Sequence, residues 1–292
     1  MNSFNKTRRD FIKTVGFGTV ALSLTGISFQ SDEKYKAKIG IQLYTIRKNI
    51  EKDFEGSIKK IADLGYFGIE TYALPKNITL HQAGKVFKDN NLEIFSMHTE
   101  LPIGKDREIA LRMADAYNSK RLVYHGWPPG DKYKNKEALD RTVDMYNEMN
   151  SYLNTKGIKF GLHNHWFEFE KNEDGIYPFY YFLKNVDANI FFEIDTYWVK
   201  TAGKDPAKIL KDFGTRAPLL HIKDGNAIKG EKSYEQVPAG QGVMDFPSIV
   251  NAGGENIKWM IVEFDEFEGD IFKGAEQSYK YLTKNNLAFG KS

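Results

Sequence analysis

From residue 36 onward the sequence repeats one pattern eight times: a short run of β-favouring residues, then an amphipathic helical stretch. The strand-like runs are Lys38–Ile46, Gly68–Tyr72, Glu93–Thr99, Arg121–Gly126, Lys159–His165, Asn189–Asp195, Pro218–Lys223 and Lys258–Phe264. Between and after them, helical spacing covers Phe54–Leu64, Thr79–Asp89, Asp106–Tyr117, Lys136–Thr155, Pro178–Lys184, Asp205–Phe213, Asp245–Val250 and Gly269–Lys284. Alternation of this kind implies parallel strands joined by crossover helices. Eight such units in about 255 residues predict an α/β chain folded as a single-domain (β/α)8 TIM barrel. The competing doubly wound sheet usually carries a Gly-rich phosphate turn after its first strand, and Gln42-Leu43-Tyr44-Thr45-Ile46 has none. The stretch from Asp224 to Met244 is long for an ordinary connection and is expected to be a lid or an active-site loop.

Composition narrows the chemistry. The 292 residues contain no cysteine, so thiol nucleophiles, thiolate zinc sites and iron–sulfur clusters are excluded. The net charge of +2 is uneven: Lys6, Arg8, Arg9 and Lys13 against Asp10 give residues 1–31 a surplus of three positive charges and leave the rest at −1. A near-neutral body argues against a nucleic-acid partner.

Thr7-Arg8-Arg9-Asp10-Phe11-Ile12-Lys13 resembles the twin-arginine export signal, and an apolar stretch from Val15 to Phe29 follows it. That stretch is shorter than the ~20 residues of a membrane span, so no stable membrane insertion is expected once the signal is removed. Residues 1–34 are therefore expected to be an export segment, with cleavage between 27 and 34 or retention as a tether, and 35–292 the catalytic barrel. The resemblance implies an exported, periplasmic protein.

In a barrel of this type chemistry collects at the C-terminal strand ends. Five of the six histidines, His98, His125, His163, His165 and His221, stand there, with Glu70, Glu193, Asp195, Lys223 and Glu263; only His81 lies elsewhere. Imidazoles and carboxylates without sulfur suit one divalent cation, Mn, Zn, Co or Mg. Such an ion can hold two oxygens of a hydroxy-ketone and stabilise the enediolate left when a neighbouring proton departs. The rim aromatics Tyr44, Trp127, Trp166, Phe167, Tyr197 and Trp198 are either loop packing or a wall for sugar rings.

The strand ends His221-Ile222-Lys223-Asp224, Glu193-Ile194-Asp195-Thr196 and Val262-Glu263, with Gly240-Gln241-Gly242-Val243-Met244-Asp245-Phe246, resemble the xylose-isomerase-like sugar isomerase/epimerase superfamily over about residues 36–285. The resemblance implies a metal held by Asp195, His221 and Glu263, with a fourth ligand from strand five. The family's usual glutamate is replaced there by His163, which can still ligate, so the acid/base pair is changed. Glu263 keeps a proton-transfer role, His165 or Glu168 supplies the second, and Lys223 binds a substrate oxygen. Substrate contacts fall to His98, His125, Tyr44, Trp166 and Trp198.

The function implied is a metal-dependent carbohydrate isomerase or epimerase acting beside a ketone, its partner a small sugar or glycoside. The His-Asn-His strand end also resembles members that eliminate a β-substituent from keto-glycosides or keto-cyclitols. A non-catalytic sugar-binding barrel is the third reading, and an abasic-site-type nuclease is disfavoured by the charge of the body. A homo-oligomer is compatible with all of these.

Overall fold

A computed structural model describes residues 36–291. The expected export segment, 1–34, lies outside them. The strands are β1 (Ala37–Gln42), β2 (Gly68–Thr71), β3 (Glu93–Thr99), β4 (Arg121–Tyr124), β5 (Lys159–His163), β6 (Phe191–Asp195), β7 (Leu219–Ile222), β8 (Trp259–Val262) and a two-residue β9 (Ala288–Phe289). Strands β1 to β8 pair in parallel with their sequence neighbours, and β1 pairs with both β8 and β2, so the sheet closes into the expected eight-strand barrel. Strand β9 pairs with the start of β1, below the point where β2 begins.

The helices are α1 (Arg47–Ile50), α2 (Phe54–Asp63), α3 (Leu80–Asp89), α4 (Lys105–Tyr117), α5 (Lys136–Thr155), α6 (Pro178–Asn185), α7 (Thr196–Thr201), α8 (Pro206–Phe213), α9 (Phe246–Gly253) and α10 (Ile271–Lys284). Their starts are set by local chemistry. Side chains of Asp53, Thr79, Asn135, Asp205, Asp245 and Asp270 each accept a backbone N–H of the first turn, and Pro206 opens α8 where no donor is missed. No described helix is long and apolar enough to cross a membrane.

Alternation along the strands builds the barrel interior in layers. The lower layer is an apolar plug of Phe95, Val123, Phe191, Leu219, Trp259 and Ile261, with the Phe95 and Trp259 rings stacked 3.9 Å apart. Gly161 makes room for it: a Cβ there would stand 2.3 Å from the Phe191 ring. Two residues further along the strands the interior turns polar, with Gln42, Glu70, His163, Glu193 and His221 all buried. A register shift between Ile69 and Glu70 resets β3, so that both Phe95 and His98 reach the interior.

The structure departs from the sequence expectation at three points that matter for the mouth. Strand β1 stops at Gln42, because the Gln42 side chain accepts the N–H of Tyr44 and starts a 3-10 turn over Leu43–Ile46. Strand β5 stops at His163, because the Asn164 side chain leaves the strand to bond the backbone of Asp195 in both directions. Helix α7, unforeseen in the sequence, begins directly after β6, with Asp195 as its cap.

The long connection after β7 is held at its base. The buried Asp224 carboxylate accepts the N–H groups of Gly225, Gly240, Gly242 and Met244. Gly242 is required there, since a Cβ would fall 2.2 Å from Asp224 Oδ1. The Tyr197 hydroxyl donates to Ser233 O, and Tyr234 packs on Trp198 with ring centroids 5.2 Å apart. The segment is thus a wall of the mouth, as an active-site loop would be.

Candidate active site

At the C-terminal mouth, three donor atoms converge. Asp195 Oδ2, His221 Nδ1 and Glu263 Oε2 lie within 4.8 Å of one another. Each is buried, and none has a hydrogen bond of acceptable angle, although His221 Nδ1 and Glu263 Oε2 are only 2.6 Å apart. Lone pairs that share a focus without pointing at each other have the layout of metal ligands. Asp195 is divided between two tasks: Oδ1 caps α7 by accepting Trp198 N–H at 2.9 Å, which leaves Oδ2 for the focus.

Beneath this focus lies a carboxylate layer that fixes the histidines. Glu193 Oε1 is contacted by His98 Nε2 at 2.6 Å, His163 Nδ1 at 3.1 Å and His221 Nε2 at 3.1 Å. Glu70 Oε1 accepts from Gln42 Nε2 at 2.7 Å and pairs with His221 Nε2 at 2.8 Å. With Nε2 of His221 held by carboxylates, its Nδ1 faces the focus, where a metal would take the place of the Nδ1 proton in a carboxylate–histidine–metal arrangement. Burial and the nearby Glu193 push Glu70 up to about 7. Burial carries His98 down to about 4 and His163 well below the ordinary imidazole range.

Lys223 is the cation already present. Its Nζ stands 3.2 Å from Asp195 Oδ2, 2.9 Å from Glu263 Oε2 and 2.9 Å from Asp265 Oδ2. Burial disfavours the ammonium, but those three carboxylates outweigh it and raise Lys223 well above its ordinary value. His221 follows the same logic: burial opposes its charge, and Glu193 and Glu263 override burial. For Glu263 burial favours the neutral acid, yet Lys223 and His221 hold it far below the carboxylate range. Asp195 rises to about 6, since burial prevails over the same two cations. Five buried or nearly buried carboxylates thus face two cations: Glu70 and Glu193 meet the His221 ring, Asp195 and Asp265 the Lys223 ammonium, and Glu263 both. The excess of carboxylates calls for protons or a further cation, and a divalent ion at the focus would supply that charge.

The other expected residues divide by position. His98, His125, His163, His165, Tyr44, Trp198, Lys223 and Glu263 line one cleft of about 1100 Å³. His163 belongs with His98 and His221 around Glu193 and lies outside the three-atom focus. His165 is past the end of β5 but still meets the cleft, its ring 5.1 Å from that of His163 and its Nδ1 buried without a partner. Burial and then Lys223 keep its ring neutral. The Trp198 indole N–H is likewise buried and unpartnered at the cleft wall. His125 accepts Trp127 N–H on Nδ1, and burial brings it down to about 4.

Trp166, Phe167, Tyr197 and Glu168 stand behind the lining. Trp166 packs on Trp198 with centroids 5.0 Å apart, and Phe167 stacks on His165 at 5.2 Å. Glu168 is fully buried and accepts His165 N–H through Oε2 at 2.8 Å, while Oε1 has no partner. Burial raises its carboxyl from 4.5 to about 8, so folding takes up a proton at neutral pH. The stability tied to this proton is complete below the unfolded value and is lost as pH climbs toward about 8, at about 1.4 kcal/mol per pH unit. Glu168→Gln keeps an acceptor for His165 N–H and removes the ionisation. The variant's urea midpoint is therefore expected to fall less than wild type's between pH 5 and pH 8. Parallel curves would show that Glu168 is ionised throughout.

The strand-end rule finds Glu70, Glu193, Asp195 and Glu263; it assigns no part to Asp265, the third carboxylate on Lys223, or to Gln42, which donates to Glu70. The available signal was the two-residue step: Glu193 and Asp195, His221 and Lys223, and Glu263 and Asp265 are each two apart.

Several solved structures share this architecture. A sugar phosphate isomerase/epimerase from Parabacteroides distasonis ATCC 8503 superposes with a TM-score of 0.71 at 23% identity, over 87% of this chain and 96% of that one. A probable 3-DHS dehydratase from Bacillus anthracis gives 0.69 at 14% identity, over 84% and 98%. A D-allulose 3-epimerase from Methylomonas sp. gives 0.63 at 18% identity, over 85% and 98%. At these identities the likeness is one of fold. No curated protein sequence matches the chain. Residues 58–284 match the family described as xylose isomerase-like TIM barrel, and with its closed eight-strand barrel the chain belongs to that family.

Proposed function

We propose that this chain is a metal-dependent carbohydrate isomerase or epimerase that removes the proton beside a ketone of a sugar or keto-glycoside and returns it elsewhere. The observation that carries the reading is the convergence of Asp195 Oδ2, His221 Nδ1 and Glu263 Oε2 within 4.8 Å of one another, with Glu263 and its ion-pair partner Lys223 reaching the wall of a large cleft. A divalent ion held by those residues would polarise the substrate's carbonyl and neighbouring hydroxyl oxygens.

The remaining work falls to side chains in place. Lys223 offers an ammonium to the oxygen on which charge develops, and the carboxylates around it keep it protonated. His165 presents a neutral imidazole with Nδ1 free to take a proton. Glu263 reaches the cleft from β8, three strands round the ring from β5, so proton transfer is available from two sides of the substrate. His98, His125 and the Trp198 N–H orient hydroxyl groups. The enzymes among the structural neighbours carry the names of isomerases, epimerases and a dehydratase, which suits a shared first step. The volume of the cleft, about 1100 Å³, leaves space for a departing group and makes β-elimination the second reading.

The test is solvent exchange. In D2O the metal-loaded protein is expected to wash deuterium into the carbon beside the carbonyl of at least one of a panel of ketohexoses and keto-glucosides. His165→Gln is expected to slow this by about 10²- to 10⁴-fold with metal content unchanged. Exchange at the wild-type rate in the variant removes His165 from the mechanism. Binding of a panel member without any exchange points to a sugar-binding protein instead.

The proposal includes residues 1–34 as a twin-arginine export segment of an enzyme working in the periplasm, supported by Thr7–Lys13. Cell fractionation of the full chain beside Arg8→Lys/Arg9→Lys tests it: equal export of both chains would refute it.

A further inference from the structure

The cleft has a second half that the chemistry above does not use. Its polar end holds Lys223, Glu263 and the histidines, whereas its other end runs between the 72–80 loop and α4. There Leu74, Ile78, Ile109, Met113 and Tyr117 give an apolar lining, while Lys76, Asp106 and Arg112 of the same two segments add charged groups to it. Ile109 is 40% exposed and Tyr72, at the junction, 36%, so large apolar side chains stand open to the cavity and to water.

Two buried hydroxyls in this half lack partners: Thr99 Oγ1, where the halves meet, and the phenol of Tyr117, a residue only 7% exposed. A buried donor without a partner is uncommon and calls for an occupant that supplies one. The total volume, about 1100 Å³, is beyond the roughly 300–1,000 Å³ that encloses a drug-sized ligand, and far more than one sugar ring fills.

We propose that this arm is a second subsite, which takes an apolar ring carried by the sugar and bears one hydrogen-bonding group toward Tyr117; the substrate is then an aryl-type glycoside rather than a free sugar. The inference rests on the functional reading for its sugar end, while the arm itself is defined by its own residues. Apolar contact with Ile109 and Met113 supplies affinity, and the Tyr117 and Thr99 hydroxyls set the orientation of the ring. The leaving side of the sugar then points away from the metal focus and into the arm.

The probe is umbelliferone, an apolar bicyclic ring with a hydroxyl and a carbonyl, titrated by fluorescence into the full chain. Saturable binding is expected in wild type and, at similar affinity, in Glu263→Gln, since the arm is separate from the focus. Ile109→Glu, a change at an exposed position that leaves the core intact, is expected to weaken binding at least tenfold, and Tyr117→Phe several-fold. No saturable binding in wild type, or equal affinity in Ile109→Glu, overturns the proposal. Umbelliferone binding without deuterium exchange on any keto sugar retains the arm and sinks the enzymatic reading. Exchange on free sugars without umbelliferone binding does the reverse.

Discussion

Under the proposed function, Glu263→Gln and Asp195→Asn are each expected to fail to retain a divalent ion that wild type holds, read as metal per chain by elemental analysis after reconstitution with Mn and gel filtration. Each change converts one of the three converging donors into an amide and removes a charge from a focus where donors lie within 4.8 Å. Polarisation of a carbonyl by a metal is worth several kcal/mol of transition-state energy, so deuterium exchange should drop by about a thousandfold. Chelation of wild type should give the same loss, and Mn should restore it. Asp195→Asn keeps an oxygen able to accept Trp198 N–H, so its cap on α7 can survive and far-ultraviolet circular dichroism should be unchanged. Full metal retention in both variants would show that the ion, if bound, sits elsewhere. The neighbouring group of His98, His163, Glu193 and His221 is then the place to look.

Lys223→Met carries the second large effect. The change leaves Asp195, Glu263 and Asp265 clustered without the ammonium that stands 2.9 to 3.2 Å from each. Removing one partner of a buried ionic cluster costs about 3–5 kcal/mol, so the metal-free variant should unfold at much lower urea than wild type. A divalent ion takes up the stranded charge, and at a hundredfold excess over its dissociation constant it returns about 2.7 kcal/mol by linkage. The stabilisation by Mn should therefore be larger in Lys223→Met than in wild type, because the ion meets no competing ammonium. An equal or smaller gain would mean that Lys223 and the metal do not share the same carboxylates. Exchange activity should stay low even in the metal-loaded variant, since no other described ammonium lies at the focus.

The two predictions separate charge balance from chemistry. The aspartate and glutamate changes act on the ion, and Lys223→Met acts on the cation the chain supplies itself. A pure sugar-binding barrel would show the metal and stability effects without any exchange to lose.

Much of this was legible from the chain alone, for a definite reason. Strand–helix alternation and capping residues such as Asp53, Thr79 and Asp205 act over a few residues, so periodicity reports them directly. Closure of a (β/α)8 barrel then places every strand end at one mouth, which is how Asp195, His221, Lys223 and Glu263 come together from three strands. What the tertiary structure decided depends on register and on which way each atom faces. The shift on β3 brings His98 to Glu193; the end of β5 at Asn164 turns His165 to the cleft and Glu168 away from it. Trp166, expected against substrate, supports Trp198 from behind, because α7 starts at Asp195 and turns that part of the rim into packing. Sequence spacing says which residues share a strand face. It carries no information about the partner a side chain meets across the barrel, and in a buried polar cluster that partner sets the charge, the tautomer and the free lone pair.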